Sequence, residues 1–270
     1  MLPIRFVACV ALAAGACSAP PPSSTPPLPS GEIVDLSHAY DGSTIFWPTA
    51  DAFRLDKVAE GMTAGGYYYA ANNFFTSEHG GTHIDAPVHF AQGRDTVDRI
   101  PLARLVGPAV VIDVTDRADR DTDYQVTTAD IQQAEARDGE IPANAIVLIR
   151  TGFSRRWPDA ARYLGTAERG PDAVAKLHFP GLHPDAARWL TANRRLDAIG
   201  IDTASIDYGQ SSTYESHRIL FERNIPAFEN LTALERLPPR GAIVIALPMK
   251  IGGGSGAPLR AIAMLPTPAP

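Results

Sequence analysis

The sequence predicts a single α/β domain with a mixed β-sheet or barrel-like core and flanking helices. Three observations predict it. The chain has 270 residues, 45% hydrophobic and 20% charged, a balance that buries a sizeable core without disulfide staples. Apolar runs of strand length are mixed with amphipathic helical stretches along most of the chain. Neither a linker nor an internal repeat interrupts the chain after residue 30, so residues 31–270 read as one domain.

Taken in order, Ile33-Val34-Asp35-Leu36 reads as the first strand. Phe53 to Val58 and Tyr67 to Phe75 read as strands with aromatic faces. Tyr67-Tyr68-Tyr69 and Phe74-Phe75 suit an aromatic pocket, core packing or an interface equally well. Ala109 to Val114, Ala145 to Ile149, Ala198 to Ile201 and Ala242 to Leu247 are continuous apolar runs of buried-strand length. Leu259 to Leu265 closes the sheet. Among the helices, Thr128 is a candidate cap for a helix running to Arg137. His183-Pro184 opens a helix to Asn193, with proline in its first turn. Ser212-x-x-Glu215 has capping-box spacing for a helix through Arg223.

Residues 1–16 have the layout of a signal peptide. Arg5 precedes the apolar run Phe6 to Ala14, too short for a stable bilayer span, and small residues follow. Ala14-x-Ala16 suits an ordinary signal peptidase. Gly15-Ala16-Cys17 resembles a bacterial lipobox, with Ala14 where a leucine is usual. The Pro- and Ser-rich stretch that follows favours the lipobox, because extended segments of that composition act as spacers. The expectation is a tether over residues 17–30, lipidated at Cys17. It would hold the domain on the periplasmic side of a bacterial membrane. Cys9 and Cys17 are the only cysteines, so the folded body offers no thiolate ligand. A net charge of −6 lacks the basic footprint of a nucleic-acid binder.

One stretch concentrates chemistry: His79-Gly80-Gly81-Thr82-His83-Ile84-Asp85-Ala86-Pro87-Val88-His89-Phe90. The glycine pair and Pro87 argue against a helix. In an extended run, side chains of equal parity share a face, so His83, Asp85 and His89 point one way. Gly80-Gly81 lets the backbone bend and brings His79 round to them. Two imidazoles and a carboxylate suit Zn²⁺ or Mn²⁺ and leave positions open for water. His89 then suits a proton shuttle, because a free imidazole titrates near pH 6.5. His38, His178 and His183 stand alone and read as ordinary satisfied histidines. Asp202 and Asp207 read as residues that pin the loop after a strand. Gly252-Gly253-Gly254-Ser255-Gly256 lacks the Lys-Ser/Thr of a phosphate loop and reads as a turn near the pocket.

The run HGGTHIDAPVHF resembles the H-x-G-T-H-x-D-x-P-x-H-F motif of the metal-dependent cyclase family, which includes bacterial kynurenine formamidases and isatin hydrolases. Further segments match in order: Asp35-Leu36-Ser37, Trp47-Pro48, Arg150-Thr151-Gly152, Gly200 to Asp207, His217, Glu229-Asn230-Leu231 and Gly253 to Arg260. The resemblance implies the cyclase-family fold, with His79, His83 and Asp85 as ligands of a first metal. It implies that Asp85 bridges to a second metal completed by His217 and Glu229, so that one or two divalent ions bind. It also implies His89 as catalytic acid/base, Trp47 as the residue that packs on the substrate ring, and a homo-oligomer (dimer or tetramer). On the residues alone, His217 reads as a helix-surface histidine and Glu229 as a solvated carboxylate. The sequence departs from many formamidases in its expected export signal, which counts against a role in cytosolic tryptophan breakdown.

The expected activity is hydrolysis of the C–N bond of a small aromatic amide by metal-activated hydroxide. The substrate would be a cyclic amide such as isatin or an aryl formamide such as N-formylkynurenine. Two other classes remain open: a cyclase or dehydratase acting on a small carbonyl compound, and a metal-dependent binding lipoprotein without turnover.

Overall fold

Ala145–Arg150 is apolar at five of its six positions, and both of its faces are buried, as a strand inside a two-layered sheet requires. It lies in a parallel block with Val106–Asp113 on one side and Leu196–Ile201 on the other; the latter pairs in turn with Ala227–Glu229. The structure, a computed structural model, describes residues 31–267. The signal peptide expected over 1–16, the tether over 17–30 and Cys17 lie outside the described residues. Among those described, no helix is long and apolar enough to cross a membrane.

In chain order the strands are β1 (Ile33–Asp35), β2 (Arg54–Met62), β3 (Tyr68–Phe75), β4 (His83–Asp85), β5 (Val106–Asp113), β6 (Gln125–Val126), β7 (Ala145–Arg150), β8 (Gly181–Leu182), β9 (Leu196–Ile201), β10 (Ala227–Glu229), β11 (Arg240–Pro248) and β12 (Gly256–Met264). The main sheet runs β1-β12-β11-β5-β7-β9-β10-β4, and β4 pairs back onto β12. That last pairing closes a mixed, barrel-like ring. β12 makes it possible by splitting one edge: Gly256 to Pro258 pair with β4, and Ile262 to Met264 pair with β1. The ring interior is packed with Val34, Ile84, Val111, Leu148, Phe228 and Ala263.

The helices are α1 (Thr115–Ala118), α2 (Thr128–Asp138), α3 (Ala160–Leu164), α4 (Pro171–Val174), α5 (Pro184–Asn193) and α6 (Glu215–Phe221). Ile131, Ala187, Leu190 and Phe221 of α2, α5 and α6 pack on the outer face of the parallel block, over Val110, Val147 and Ile199. The α5 boundaries match the expected ones, and His183 caps it by accepting from the Asp185 N–H. Two cap assignments differ. The α2 cap is Thr127, not Thr128; Thr127 and Asp130 form the reciprocal capping box. Ser212 does not cap α6. Tyr214 occupies that position in the left-handed region (φ 48°) with no side-chain cap, and the helix ends at Phe221 rather than Arg223.

β2 and β3 form a separate two-stranded ribbon. Its aromatics reach neither core nor pocket: Tyr67, Tyr68, Tyr69, Phe74 and Phe75 are all exposed. Alternation marked these segments as strands but carried no information about what covers their faces.

Candidate metal centre

The register of the closing strand builds the centre. β4 lies between β10 and β12, antiparallel to both, and places His83 directly opposite Glu229. Directly opposed antiparallel residues hold their Cβ atoms about 4.5–5.5 Å apart, so two residues remote in sequence become neighbours. Ile84 points into the ring core, whereas His83 and Asp85, one position to either side, line the cavity. Gly81 turns the chain before β4 in the left-handed region, at φ 56°. Gly80 must lack a side chain, because a Cβ there would sit 2.0 Å from the Phe46 ring. That turn delivers His79. His89 arrives differently from the expectation. It lies in a 3-10 turn, Pro87–His89, so strand parity does not place it; proline fixes the first residue of that turn and swings His89 back. Its ring stacks on His79, with centroids 3.9 Å apart.

The donor atoms converge. Asp85 Oδ1 lies 2.6 Å from His79 Nδ1 and 3.1 Å from His83 Nε2. Asp85 Oδ2 lies 3.2 Å from His217 Nε2, which is 3.0 Å from Glu229 Oε1. Glu229 Oε2 is 3.5 Å from His83 Nε2. For metal–ligand bonds of about 2.0–2.1 Å, neighbouring atoms of a tetrahedral shell lie about 3.3 Å apart. Two overlapping groups of donor atoms result, His79–Asp85–His89 and His83–Asp85–Glu229, with Asp85 in both. The second group excludes His79, which the resemblance placed with His83 on the first metal, and the first group draws in His89.

The unused imidazole nitrogens are committed elsewhere. His83 Nδ1–H donates to the Gly81 carbonyl at 3.0 Å, and His217 Nδ1–H donates to Asp207 Oδ2 at 2.6 Å. This leaves the Nε2 lone pairs facing the carboxylates, an arrangement that needs a cation between them. His83 Nε2 is buried with no hydrogen-bond partner among the described residues. An orphaned buried nitrogen of this kind calls for a ligand, and the donor set suits a divalent ion.

Titration behaviour agrees. Burial opposes ionisation of Asp85, but the imidazoles of His79, His217 and His83 outweigh it and hold the carboxyl well below the usual range. Burial and the neighbouring Asp85 charge push Glu229 up. Burial lowers the proton affinity of His217, yet Asp207, Asp85 and Glu229 raise it further, well above an ordinary imidazole. The centre therefore attracts positive charge, as protons or as metal. His89 behaves oppositely: burial lowers it to about 4, so it is neutral at pH 7.

The centre forms the floor of a cavity of about 330 Å³ walled by Phe46, Trp47, Phe90 and Tyr214. Trp47 meets Tyr214 edge-on with centroids 6.4 Å apart, and Phe90 lies 5.2 Å from Tyr214. The expected site residues thus meet in one place: Trp47, His79, His83, Asp85, His89, His217 and Glu229 all line this cavity. His178 and His183 stay away from it, paired with Asp123 and capping α5, and His38 stacks on Trp157.

Sequence reasoning missed several contributors. Asn230 donates to the Gly81 carbonyl, and its Oδ1 accepts from the Tyr163 hydroxyl, so it ties β10 to the turn before His83. Tyr214 carried no motif at all. Asp202 does pin a loop, accepting from the Thr151 and Gly152 backbone N–H groups. Asp207 does more than that: it accepts from the Ser216 and His217 backbone as well as from the His217 ring.

The Cyclase family, described as "Putative cyclase", matches residues 34–208. The isatin hydrolase of Roseibium aggregatum is 35% identical over 78% of this chain and 81% of its own. The kynurenine formamidase of Salinibacter ruber is 30% identical over 85% of this chain and 96% of its own. The solved structure of isatin hydrolase A from Ralstonia solanacearum superposes with a TM-score of 0.78 at 36% identity, covering 87% of this chain and 92% of that one. The closed mixed sheet, the convergent donors and these matches agree: the chain belongs to the Cyclase family.

Proposed function

We propose that this protein is a metal-dependent hydrolase of the C–N bond of a small aromatic amide, either a cyclic amide such as isatin or an aryl formamide such as N-formylkynurenine. One observation carries the reading: His79, His83, Asp85, His217 and Glu229 converge on the floor of a cavity whose walls are aromatic. The relatives' activities support the substrate class, since they are an isatin hydrolase and a kynurenine formamidase. Imidazole and carboxylate donors without thiolate suit Zn²⁺ or Mn²⁺. Asp85, common to both donor groups, suits one ion or two.

A bound ion supplies Lewis-acid polarisation of the amide carbonyl and lowers the pKa of water. The protein supplies the rest. Trp47, Phe90 and Tyr214 hold a flat ring and exclude bulk water. His89, neutral at pH 7, takes the proton that the attacking water gives up and passes it to the leaving nitrogen. Asp207 and the Gly81 carbonyl fix the ring orientations of His217 and His83. The acyl carbon gains OH, the nitrogen gains H, and the C–N bond breaks. Incubation with isatin and with N-formylkynurenine, read by product mass, tests the reaction: hydrolysis adds one water. A product lighter by one water would favour a dehydratase.

We further propose export and anchoring through Cys17, on the sequence alone, and a homo-oligomer. The β2–β3 ribbon supports the oligomer. A lone two-stranded ribbon is marginal in water, and this one exposes Leu55, Val58, Met62 and Tyr68 at 58–69% of their surfaces. Light scattering on the chain from residue 31 onward should give a dimer or larger, and a monomer would remove the proposal.

A further inference from the structure

The glycine-rich segment Gly252-Gly253-Gly254-Ser255-Gly256 has no part in the chemistry above, yet the structure packs it directly against the metal centre. Its glycines have distinct reasons. Gly253 turns the chain at φ 77°. A Cβ on Gly254 would lie 2.8 Å from Glu78 Oε1, and one on Gly256 would lie 2.6 Å from His79 Cε1. The segment is pinned as well. The Gly253 N–H donates to Asp98, the Gly254 carbonyl accepts from Val97, and the Ser255 carbonyl accepts from Ala86. The glycines therefore allow a close approach of Ser255 to Glu78 and His79, and the pinning holds it there.

The hydrogen-bond directions follow from the donors available. The Ser255 hydroxyl donates to Glu78 Oε2 at 2.6 Å, and the Ser255 backbone N–H donates to the same oxygen at 3.0 Å. A hydroxyl has one hydrogen. Towards His79 Nε2, 2.9 Å away, Ser255 Oγ can then only accept. So Nε2 carries a hydrogen whether the ring is neutral or charged, and Nδ1, 2.6 Å from Asp85 Oδ1, is the nitrogen left to give a lone pair to a metal.

We infer that Glu78 and Ser255 are a positioning pair that sets the tautomer of His79 and makes Nδ1 its metal-donating atom. His83 and His217 present Nε2 instead, because their Nδ1–H groups are held by the Gly81 carbonyl and Asp207. The opposite choice at His79 is imposed from the other side of the ring. Glu78 is adjacent to His79, and Ser255, remote in sequence, carries its hydrogen bond round to Nε2 of that ring. The inference rests on the metal-dependent reading above, and it deepens that reading at one ligand.

The test uses the Zn²⁺-loaded protein with ¹⁵N-labelled histidine. Long-range ¹H–¹⁵N correlation should show His79 protonated at Nε2 with Nδ1 shifted by metal. Zn²⁺ affinity, read by competition with a chelator, should fall about 10–100-fold in Ser255→Ala and in Glu78→Ala, the scale for losing a partner of a metal-bound imidazole. The double variant should be no weaker than the weaker single one, because the two act as one chain of bonds. Ser255→Thr, which keeps the hydroxyl, should stay near the parent. A proton on His79 Nδ1 in the loaded parent would overturn the inference, even where a variant fails to fold. So would Ser255→Ala affinity within about twofold of the parent. A parent that binds no Zn²⁺ and no Mn²⁺ would instead defeat the metal-dependent reading itself, and this inference with it.

Discussion

Asp207 joins the fold to the chemistry, and its replacement by asparagine should damage both by separable amounts. Asp207 is 2% exposed. One of its oxygens accepts from the Ser216 N–H at 3.0 Å; the other accepts from the His217 N–H at 3.1 Å and from His217 Nδ1–H at 2.6 Å. Ser216 and His217 lie in the first turn of α6, whose own cap residue offers no side-chain bond. Asp207 is therefore the N-terminal cap of that helix, supplied from outside it. Loss of a cap costs about 0.5–2 kcal/mol. A bond from a charged group contributes about 1.5–3 kcal/mol. Asparagine keeps one accepting oxygen, so Asp207→Asn loses the bond from the charged group rather than the whole cap and should destabilise the metal-free protein by about 1.5–3 kcal/mol.

The amide has one accepting oxygen. Its NH₂ must face a donor, and the cheapest escape is for His217 to move its hydrogen to Nε2, which removes the lone pair aimed at Asp85 and Glu229. Metal affinity should fall by about 10–100-fold. The pH dependence has a defined sign. Burial raises the Asp207 pKa, but the bonds from His217 and the backbone outweigh it and leave it below 3.8. A depressed carboxyl contributes stability that is present above its unfolded pKa and lost as pH falls through the folded one. The deficit of the variant should therefore be full at pH 6–7 and shrink at pH below about 4. Urea unfolding of metal-free protein across pH, with chelator competition at pH 7, measures both effects. Unchanged stability together with unchanged metal affinity would refute the reasoning.

Three further outcomes are expected. His89→Ala should keep its metal and lose about 10²–10⁴ in kcat, the usual share of general acid–base catalysis; loss of metal on the same preparation would make His89 a ligand, as its grouping with His79 and Asp85 allows. Trp47→Ala should raise KM for aromatic amides at least about tenfold, since an aromatic contact with its buried area contributes more than about 1.4 kcal/mol, and Trp47→Phe should recover most of it; equal KM for parent and alanine variant would remove Trp47 from the ring site. Cys17→Ala expressed in a bacterial host should release the protein from membranes to the soluble fraction, whereas a soluble parent with an unmodified mature N-terminus would contradict the anchor.

The local parts of this molecule were legible in its sequence, and the remote ones were not. Ala145 to Ile149 reads as a buried strand because both faces are covered and no polar residue interrupts it. The His79–His89 cluster reads as a metal site because its donors are close in sequence. His217 and Glu229 entered only through resemblance. What brings them to the centre is the closing register, His83 opposite Glu229, and no local pattern encodes a pairing between strands so far apart. The same cause lies behind the failed cap. Ser212-x-x-Glu215 has the right spacing, but the fold supplies Asp207 from further upstream, and the helix starts where that carboxylate can reach it. His89 reached the expected place by an unexpected route, because Pro87 starts a 3-10 turn where strand parity had been assumed. Glu78 carried no motif, and Ser255 was read only as part of a turn near the pocket, since the meaning of both depends on a contact across most of the chain.

The most direct test of the account measures metal content and amide hydrolysis together, in the parent and in His83→Ala. His83 is the residue whose buried Nε2 has no hydrogen-bond partner among the described residues and faces both Asp85 and Glu229. The parent, purified and loaded with Zn²⁺ or Mn²⁺, should hold the ion and hydrolyse isatin or N-formylkynurenine, and chelation should abolish the activity. His83→Ala should fold, lose the ion and lose the activity with it. Undiminished metal content in His83→Ala, or hydrolysis by the parent that survives complete removal of metal, would contradict the account.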